Sequence, residues 1–506
     1  MRPDPLVEIE RKFDVDDDAA VPSLHDLPGV GRVDPPVEYR LQAEYFDTED
    51  FRLASRRITL RRRTGGEDAG WHLKIPVGPD ERHEHHEPPG RKADGVPKAL
   101  RDLIRVYVRD MALVPVARLT TRRSVHHLHG EDGGVLADLM DDRVQADVLL
   151  PAPASLHWRE WEIELVDGSI DLLDAGQARV TDAGARPAAH SSKLDRALGP
   201  LLRTVADARP TPTPDGPAGD VLLAYLHEQL TVLEEQDPQV RQDAPDAVHR
   251  MRVATRRVRS VLGTYRSLLE DTDAVQLLRE ELKWLAGVLG RARDAEVMHA
   301  RLKEMLAEEP AGLVLGPVER RVDLELGGGY RKAHDRALKA LRGRRYFLLL
   351  DTLESLLAAP ALTPRAAEPA ARVIPELLNR DIRRLRAAVH EARHHPAGVG
   401  DHPALHQARK DAKRLRYAAE AADPVGRKKI ARIGEAALGI QKILGEHQDS
   451  VVTRNLLRRL GVAAFKEGEN GFTYGRLHAL EQVAALRAES RFRREWKHFP
   501  SKLRAN

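Results

Sequence analysis

Charge that alternates along short apolar segments constrains this chain more than any other feature. Glu8, Glu10 and Lys12 occupy every second position among Val7, Ile9 and Phe13. Successive side chains of a strand point to opposite faces, so a strand here presents two carboxylates and an amine together. A matching run, Glu160, Glu162 and Glu164, alternates with Trp161, Ile163 and Leu165. Between them Arg61 and Arg63 share a phase, Lys74 ends the run Trp71-His72-Leu73-Lys74, and Arg82 and Glu84 alternate again. One such strand is the ordinary wet face of a half-solvated sheet. Several together are not, because adjacent rows of carboxylates repel unless a cation lies among them, and hard divalent cations take several oxygen ligands. If these faces converge inside a closed barrel, the acids hold a cation and the bases hold a polyanion.

The chain has 506 residues, more than one hydrophobic core usually supports, which predicts two domains. Up to about Lys193 the short segments are broken by turn clusters such as Gly65-Gly66 and Gly133-Gly134, the punctuation of antiparallel strands. Thr204 to Gly219, with Pro210, Pro212, Pro214 and Pro217, lacks periodicity and reads as an extended linker. Beyond it Leu226, Leu230 and Leu233 recur at helical spacing, and similar runs continue to about Arg494. Pro360 to Pro369 and His394 to Pro403 read as connections between helix groups. The expected division is 1–203, a linker at 204–217, and 218–506 with repeats at about 218–358 and 370–500. Lys and Arg number 81 against 78 Asp and Glu, so the net charge of +3 says little about partners. There is no Cys, which removes disulfides, thiolate catalysis and Cys-ligated metals and fits a reducing compartment. Met1 to Phe13 carries charge where a signal peptide needs an apolar run, and no stretch approaches the roughly 18 apolar residues of a membrane span. A cytoplasmic chain is expected.

The cluster Arg82-His83-Glu84-His85-His86-Glu87 offers imidazoles for zinc. Strand alternation, however, puts His83 and His85 on the face away from Glu84, so they do not share one ion with it.

The second half contains an internal repeat. His249, Arg252, Arg256 and Arg259 fall at i, i+3, i+7 and i+10, one continuous helical stripe beside an apolar seam of Val248, Met251, Val258 and Leu262. A second copy places His406, Arg409, Lys413 and Arg416 beside Leu405, Ala408, Leu415 and Ala419. About forty residues after each His stands Leu-Gly-x-x-x-Asp, at Leu289-Gly290 with Asp294 and at Leu444-Gly445 with Asp449. Two copies of one multi-helix unit are predicted. A charge run is usually a solvated face, but a duplicated cationic stripe repels itself unless an anion compensates it, and Arg grips phosphate oxygens in pairs. The motif holds no paired carboxylates or nucleophile arrangement, so this half reads as a binding module.

On Glu8-x-Glu10-x-Lys12, Tyr45-Phe46-Asp47-Thr48, Leu60-Arg61-Arg62-Arg63, Leu73-Lys74, Glu160 to Glu164 and Ser192-Lys193, residues 4 to 200 resemble the CYTH family, the triphosphate tunnel metalloenzymes. The resemblance implies an eight-stranded antiparallel tunnel binding a linear triphosphate and Mg²⁺ or Mn²⁺. It implies Glu8, Glu10, Glu162 and Glu164 as metal ligands or orienters of the attacking water, and Glu8, Glu10 and Lys12 as the catalytic group. Lys12, Arg61, Arg63, Lys74 and Lys193 would contact the substrate. A further tunnel arginine is expected in Arg118 to Val125, where the alternation Arg118, Thr120, Arg122 favours Arg122 over Arg123. Asp138 and Asp141 both lie near the family's penultimate acidic position.

Through both His-to-Arg runs and both Leu-Gly-x-x-x-Asp segments, residues 218 to 500 resemble the CHAD domain. That implies an all-α domain of two pseudo-symmetric antiparallel four-helix bundles, with a basic groove for inorganic polyphosphate. His249 and His406 are then either phosphate ligands or hydrogen-bonding core histidines. The expected whole is an α+β two-domain inorganic triphosphatase, cutting linear triphosphate to pyrophosphate and phosphate, with a helical half that recruits polyphosphate or its granules. The alternatives are a non-catalytic polyphosphate scaffold, or a CYTH enzyme acting on thiamine triphosphate, on RNA ends, or on ATP as an adenylate cyclase. Nucleic acid is a weaker partner for the Arg stripes, since aromatic residues are only 4% of the chain and offer few stacking platforms.

Overall fold

A computed structural model describes residues 6–66, 68–76, 81–90, 95–202, 209–394, 402–426, 428–500 and 503. The side chains of residues 6–8, 200 and 394 lie outside that description. The chain divides into two compact units, Met1–Asp207 and Ala208–Asn506.

In the first unit, charge alternation becomes strand alternation. The strands are β1 (Leu6–Val15), β2 (Arg32–Val33), β3 (Val37–Asp47), β4 (Thr59–Thr64), β5 (Gly70–Pro76), β6 (Glu81–Glu87), β7 (Val114–His129), β8 (Val135–Val148), β9 (Ala154–Leu165) and β10 (Arg186–Pro187). Eight of them pair antiparallel in the order β1-β6-β5-β4-β3-β7-β8-β9, and β9 returns to β1, closing the barrel; β2 and β10 are appended to β7 and β1. Closure leaves no free edge and gives every strand an inner and an outer face.

The two faces differ in chemistry. Phe13, Leu139, Trp161 and Ile163 point outward and are covered by Leu172, Leu173 and Val180 of α2 (Ile170–Asp182), which follows α1 (Lys98–Val108) along the chain. On the inner face Leu119, Val144, Ala146 and Trp158 pack on Leu194 and Leu198 of α3 (Lys193–Leu202), an apolar plug that leaves the remaining interior polar. Asp47, fully buried, accepts backbone N–H groups from Thr48, Leu53 and Ala54 at 2.7, 2.9 and 2.8 Å, so the Tyr45 to Thr48 motif folds the turn into β4. Burial pushes the Asp47 carboxyl up to about 6 against those hydrogen bonds.

The β4–β5 turn requires glycine. Gly65 has φ +79°, and a Cβ there would lie 2.2 Å from the carbonyl oxygen of Arg40. Gly65→Ala is therefore expected to cost about 1–3 kcal/mol or more, read by denaturant unfolding of the full chain.

The second unit is helical: α4 (Ala218–Arg241), α5 (Ala247–Thr264), α6 (Asp273–Glu308), α7 (Val318–Val322), α8 (Gly328–Leu341), α9 (Arg344–Ala358), α10 (Ala370–His394), α11 (Pro403–Ala421), α12 (Lys428–Lys466) and α13 (Phe472–Glu495). The copies are α4, α5, α6 and α7–α8 against α10, α11, α12 and α13, with α9 an additional helix packed on α6. Across the repeat α4 meets α10 and α5 meets α11. Met298 and Leu302 of α6 share a core with Leu457 and Leu460 of α12 and Leu477 of α13. The apolar seams are buried as the periodicity requires: Met251, Val258 and Leu262 in one copy, Leu405, Ala408 and Leu415 in the other. Of the Pro-rich stretch, residues 203–208 lie outside the described residues; Pro214 and Gly216 accept hydrogen bonds from Ala371 and Ala370, which binds this end to the helical unit. The connection expected after His394 falls largely on residues 395–401, also outside the described residues.

Candidate functional site

The barrel interior holds a cavity of about 620 Å³ with two chemically distinct walls. The basic wall is β4 to β7, carrying Arg61 and Arg63, Lys74, Arg82, and Arg123. The acidic wall is β8, β9 and β1, where pairing aligns the carboxylates in rows. Glu10 stands opposite Glu164, and Glu164 opposite Asp138. Lys12 stands opposite Glu162, and Asp142 opposite Glu160.

Glu10 is 9% exposed and bonded to Lys12. Burial alone would raise its carboxyl, but Lys12, Lys74 and Arg82 outweigh that and hold it at about 2. Glu162 is engaged by three cations: Lys12 at 2.8 Å, Lys193 at 2.9 Å and Arg123 at 2.7 Å. Burial opposes its charge, and these cations keep it well below the usual carboxylate range. Glu164 differs. Burial, Glu10 and Glu162 push its carboxyl up against Lys74 and Arg123, and among the described residues no hydrogen bond or ion pair reaches it. Two facing carboxylates, one without a partner, are a place where a cation lowers the energy. Glu8 lies on β1 opposite Arg82, and its side chain falls outside the described residues.

The basic wall has the opposite deficit. Arg63 pairs with Asp68, yet burial, Arg61 and Arg123 depress its guanidinium to about 9. Burial together with Arg61 and Arg63 also holds the His72 imidazole down at about 4, although Glu84 lies 2.7 Å away, so His72 is neutral. A wall that crowded with cations favours an incoming anion.

One expectation about register changes, and one open choice is resolved. Arg122 is exposed, and Arg123 is the arginine inside, binding Asp142 through two hydrogen bonds of 2.8 and 2.6 Å and reaching Glu162. The physical reason is the phase of β7: Arg123 pairs with Asp142, on the inner face of β8, whereas Arg122 pairs with the exposed Arg143. On β8 the inward acids are Asp138 and Asp142, while Asp141 is bound by the Arg159 guanidinium at 2.7 Å outside the tunnel. Asp142, Arg82 and Arg123 were not singled out from sequence as site residues. The signal for Asp142 was its two-residue phase with Asp138 and Met140. Lys193, at the head of α3, lies 2.8, 2.7 and 2.9 Å from Asp142, Glu160 and Glu162. Among the described residues those three carboxylates are the one convergent group of possible metal ligands, and it contains no histidine.

In the helical unit the stripes face each other in part. Arg252 and Arg256 of α5 and Arg409 and Lys413 of α11 form one electrostatic cluster. Arg252 lies 3.5 Å from the point where Gly290 would carry a Cβ, and Arg409 lies 3.6 Å from the same point on Gly445, so each stripe arginine packs over the glycine of its own copy's Leu-Gly motif. Asp294 pairs with Arg252 at 3.1 Å. Burial depresses Arg256 to about 10 and Lys413 to about 6, with the neighbouring arginines adding to both. His406 bonds Gln448 at 2.8 Å, and burial with Arg293 lowers the His249 imidazole. Arg416 turns instead to Glu420 at 2.6 Å, and Arg259 is exposed.

Comparison with known proteins follows the same division. Residues 6–185 match the family model of the CYTH domain and residues 224–458 that of the CHAD domain. Two uncharacterized proteins of Mycobacterium tuberculosis, MT2285 and Rv2226, are each 41% identical over 504 residues, covering 96% of this chain and 95% of the relative. Among solved structures, PptA from Streptomyces chartreusis is 25% identical, covering 56% of this chain and 99% of its own, with a TM-score of 0.45. The CHAD domain of the plant Ricinus communis is 24% identical, covering 58% and 95%, with a TM-score of 0.48. Among the described residues no helix is long and apolar enough to cross a membrane. With both domain models met in order and relatives matching along almost the whole length, the chain belongs to the CYTH–CHAD proteins, its barrel a member of the metal-dependent triphosphate tunnel enzymes, which include triphosphatases and cyclases.

Proposed function

We propose that the barrel is an inorganic triphosphatase that hydrolyses linear triphosphate to pyrophosphate and phosphate, and that the helical unit binds inorganic polyphosphate. The opposition of the two tunnel walls carries this reading, since a purely anion-binding pocket has no use for Glu10 facing Glu164. Those two carboxylates suit one hard divalent cation, Mg²⁺ or Mn²⁺, with Glu8 as a further candidate from its place on β1. Such an ion, when bound, neutralises phosphate charge and polarises water. The chain's own residues do the rest: Arg61, Arg63, Lys74, Arg123 and Lys12 hold the phosphates in line, and the enclosed cavity strengthens each contact. The barrel's fusion to a cationic helical cluster favours unadorned phosphate chains. The CHAD cluster, with Arg252 and Arg256 on α5 facing Arg409 and Lys413 on α11, supports an extended polyanion as the helical ligand, and cytoplasmic polyphosphate, including its granules, fits that chemistry.

A phosphate-release screen with Mg²⁺ or Mn²⁺ tests this against inorganic triphosphate, thiamine triphosphate, ATP and long-chain polyphosphate. The expected preference is inorganic triphosphate; preference for ATP with a cyclic product would replace the reading with a cyclase. Within that assay Arg123→Gln should raise KM for triphosphate about tenfold, the worth of one charge-assisted contact, while Arg122→Gln leaves it unchanged.

A further inference from the structure

Asp142, Glu160 and Glu162 bring carboxylate oxygens within 4.8 Å of one another, close enough to hold a metal ion. The space between them is taken. The Lys193 ammonium sits 2.8, 2.7 and 2.9 Å from the three, one ion pair with each. Its backbone is fixed as firmly as its head. Lys193 begins α3, and the next residues on its buried side, Leu194 and Leu198, are locked in the apolar plug with Leu119, Val144 and Trp158. The lysine is only 9% exposed, and Asp142 is fully buried.

We propose that Lys193 is a built-in cation that fills this trio and excludes a divalent ion from it. The ammonium then does for Asp142, Glu160 and Glu162 what a metal would, without exchange with solvent. It also fixes Glu162 between Lys12 and Arg123, so that Glu162 is a positioning residue for those two phosphate-facing cations and not itself a free ligand. Any exchangeable ion is directed to the other carboxylate pair, Glu10 and Glu164. Only that last consequence rests on the metal-dependent reading of the barrel. The exclusion itself rests on the trio.

Titrating the full chain with Mn²⁺ and following the electron paramagnetic resonance signal of the free ion decides the matter without turnover. Asp142→Asn should leave the number of bound ions unchanged, because no ion resides at the trio. Lys193→Met should gain one ion per chain, lost again in the Lys193→Met/Asp142→Asn double variant, whereas Lys193→Arg gains none. Loss of an ion on Asp142→Asn alone would overturn the proposal, as would a folded Lys193→Met that gains none. If Lys193→Met does not fold, the Asp142→Asn comparison still decides. The Glu164→Gln arm is separate. If it removes no ion while Lys193→Met still gains one, the metal assignment at Glu10 and Glu164 fails and the role of Lys193 stands.

Discussion

Glu10→Gln should lower kcat for inorganic triphosphate about 100- to 1000-fold, the usual size of losing one preorganised charge in an enclosed site. The substitution preserves shape and removes the charge that, with Glu164, gives the tunnel a place for a divalent ion. Folding should survive it, because Lys12 keeps Glu162 at 2.8 Å as its second partner. The pH behaviour separates the two acids. Glu10 is held at about 2, so its contribution to stability is complete above the unfolded value of 4.5 and is lost only as pH falls toward 2. Glu164 is raised above its ordinary value in the metal-free barrel, so as pH falls it takes up a proton before Glu10 does, and Mn²⁺ binding should weaken first through Glu164. Glu164→Gln should therefore lower the rate and weaken Mn²⁺ binding at every pH. Phosphate release and Mn²⁺ binding across pH, with thermal melting as the check on folding, read both, and metal-dependent hydrolysis at wild-type rate in Glu10→Gln would remove the assignment.

The face of each strand was legible where charge and apolar residues alternate cleanly, as in Ile9-Glu10-Arg11-Lys12-Phe13 and Trp161-Glu162-Ile163-Glu164. Barrel closure was only a condition on the charge pattern and an implication of the resemblance; the return of β9 to β1 supplies it. Register was not legible where both faces of a strand are polar. In Arg118-Leu119-Thr120-Thr121-Arg122-Arg123 either phase offers an arginine, and only the pairing of Arg123 with Asp142 selects one. The acids Asp138, Asp141 and Asp142 pose the same problem on the next strand. Local sequence cannot report a partner that lies across a sheet. Lys193 shows a second limit. Ser192-Lys193 marks it as a tunnel residue, but that its ammonium fills a trio drawn from two other strands depends on how α3 plugs the barrel. Helices α1 and α2 also escaped the reading, because turn clusters on either side made their segments look like further strands.

In the helical unit the spacing of each stripe was legible, and the meeting of the two stripes was a fact of packing between α5 and α11. That meeting sets the second large effect. Arg256→Glu combined with Lys413→Glu should weaken binding of long-chain polyphosphate about 100-fold or more at 0.15 M salt, since each lost charge-assisted contact is worth about 1.5–3 kcal/mol. Affinity should also depend on pH through Lys413. Burial, then Arg256, Arg409 and Arg252, depress its ammonium to about 6 in the free protein, opposed by Asp449. The unfolded chain keeps that proton up to its ordinary value of 10.5, so the folded state binds fewer protons between the two values and stability rises with pH across that window. A bound polyanion reverses the depression, so binding takes up a proton. Affinity must then fall as pH climbs above about 6, by at most about tenfold per unit. Lys413→Arg, which stays charged throughout, should flatten the profile while keeping tight binding. Titration calorimetry in buffers of different ionisation enthalpy measures the proton directly, and a wild-type profile without pH dependence, or one that Lys413→Arg leaves sloped, would show that Lys413 does not face the bound chain.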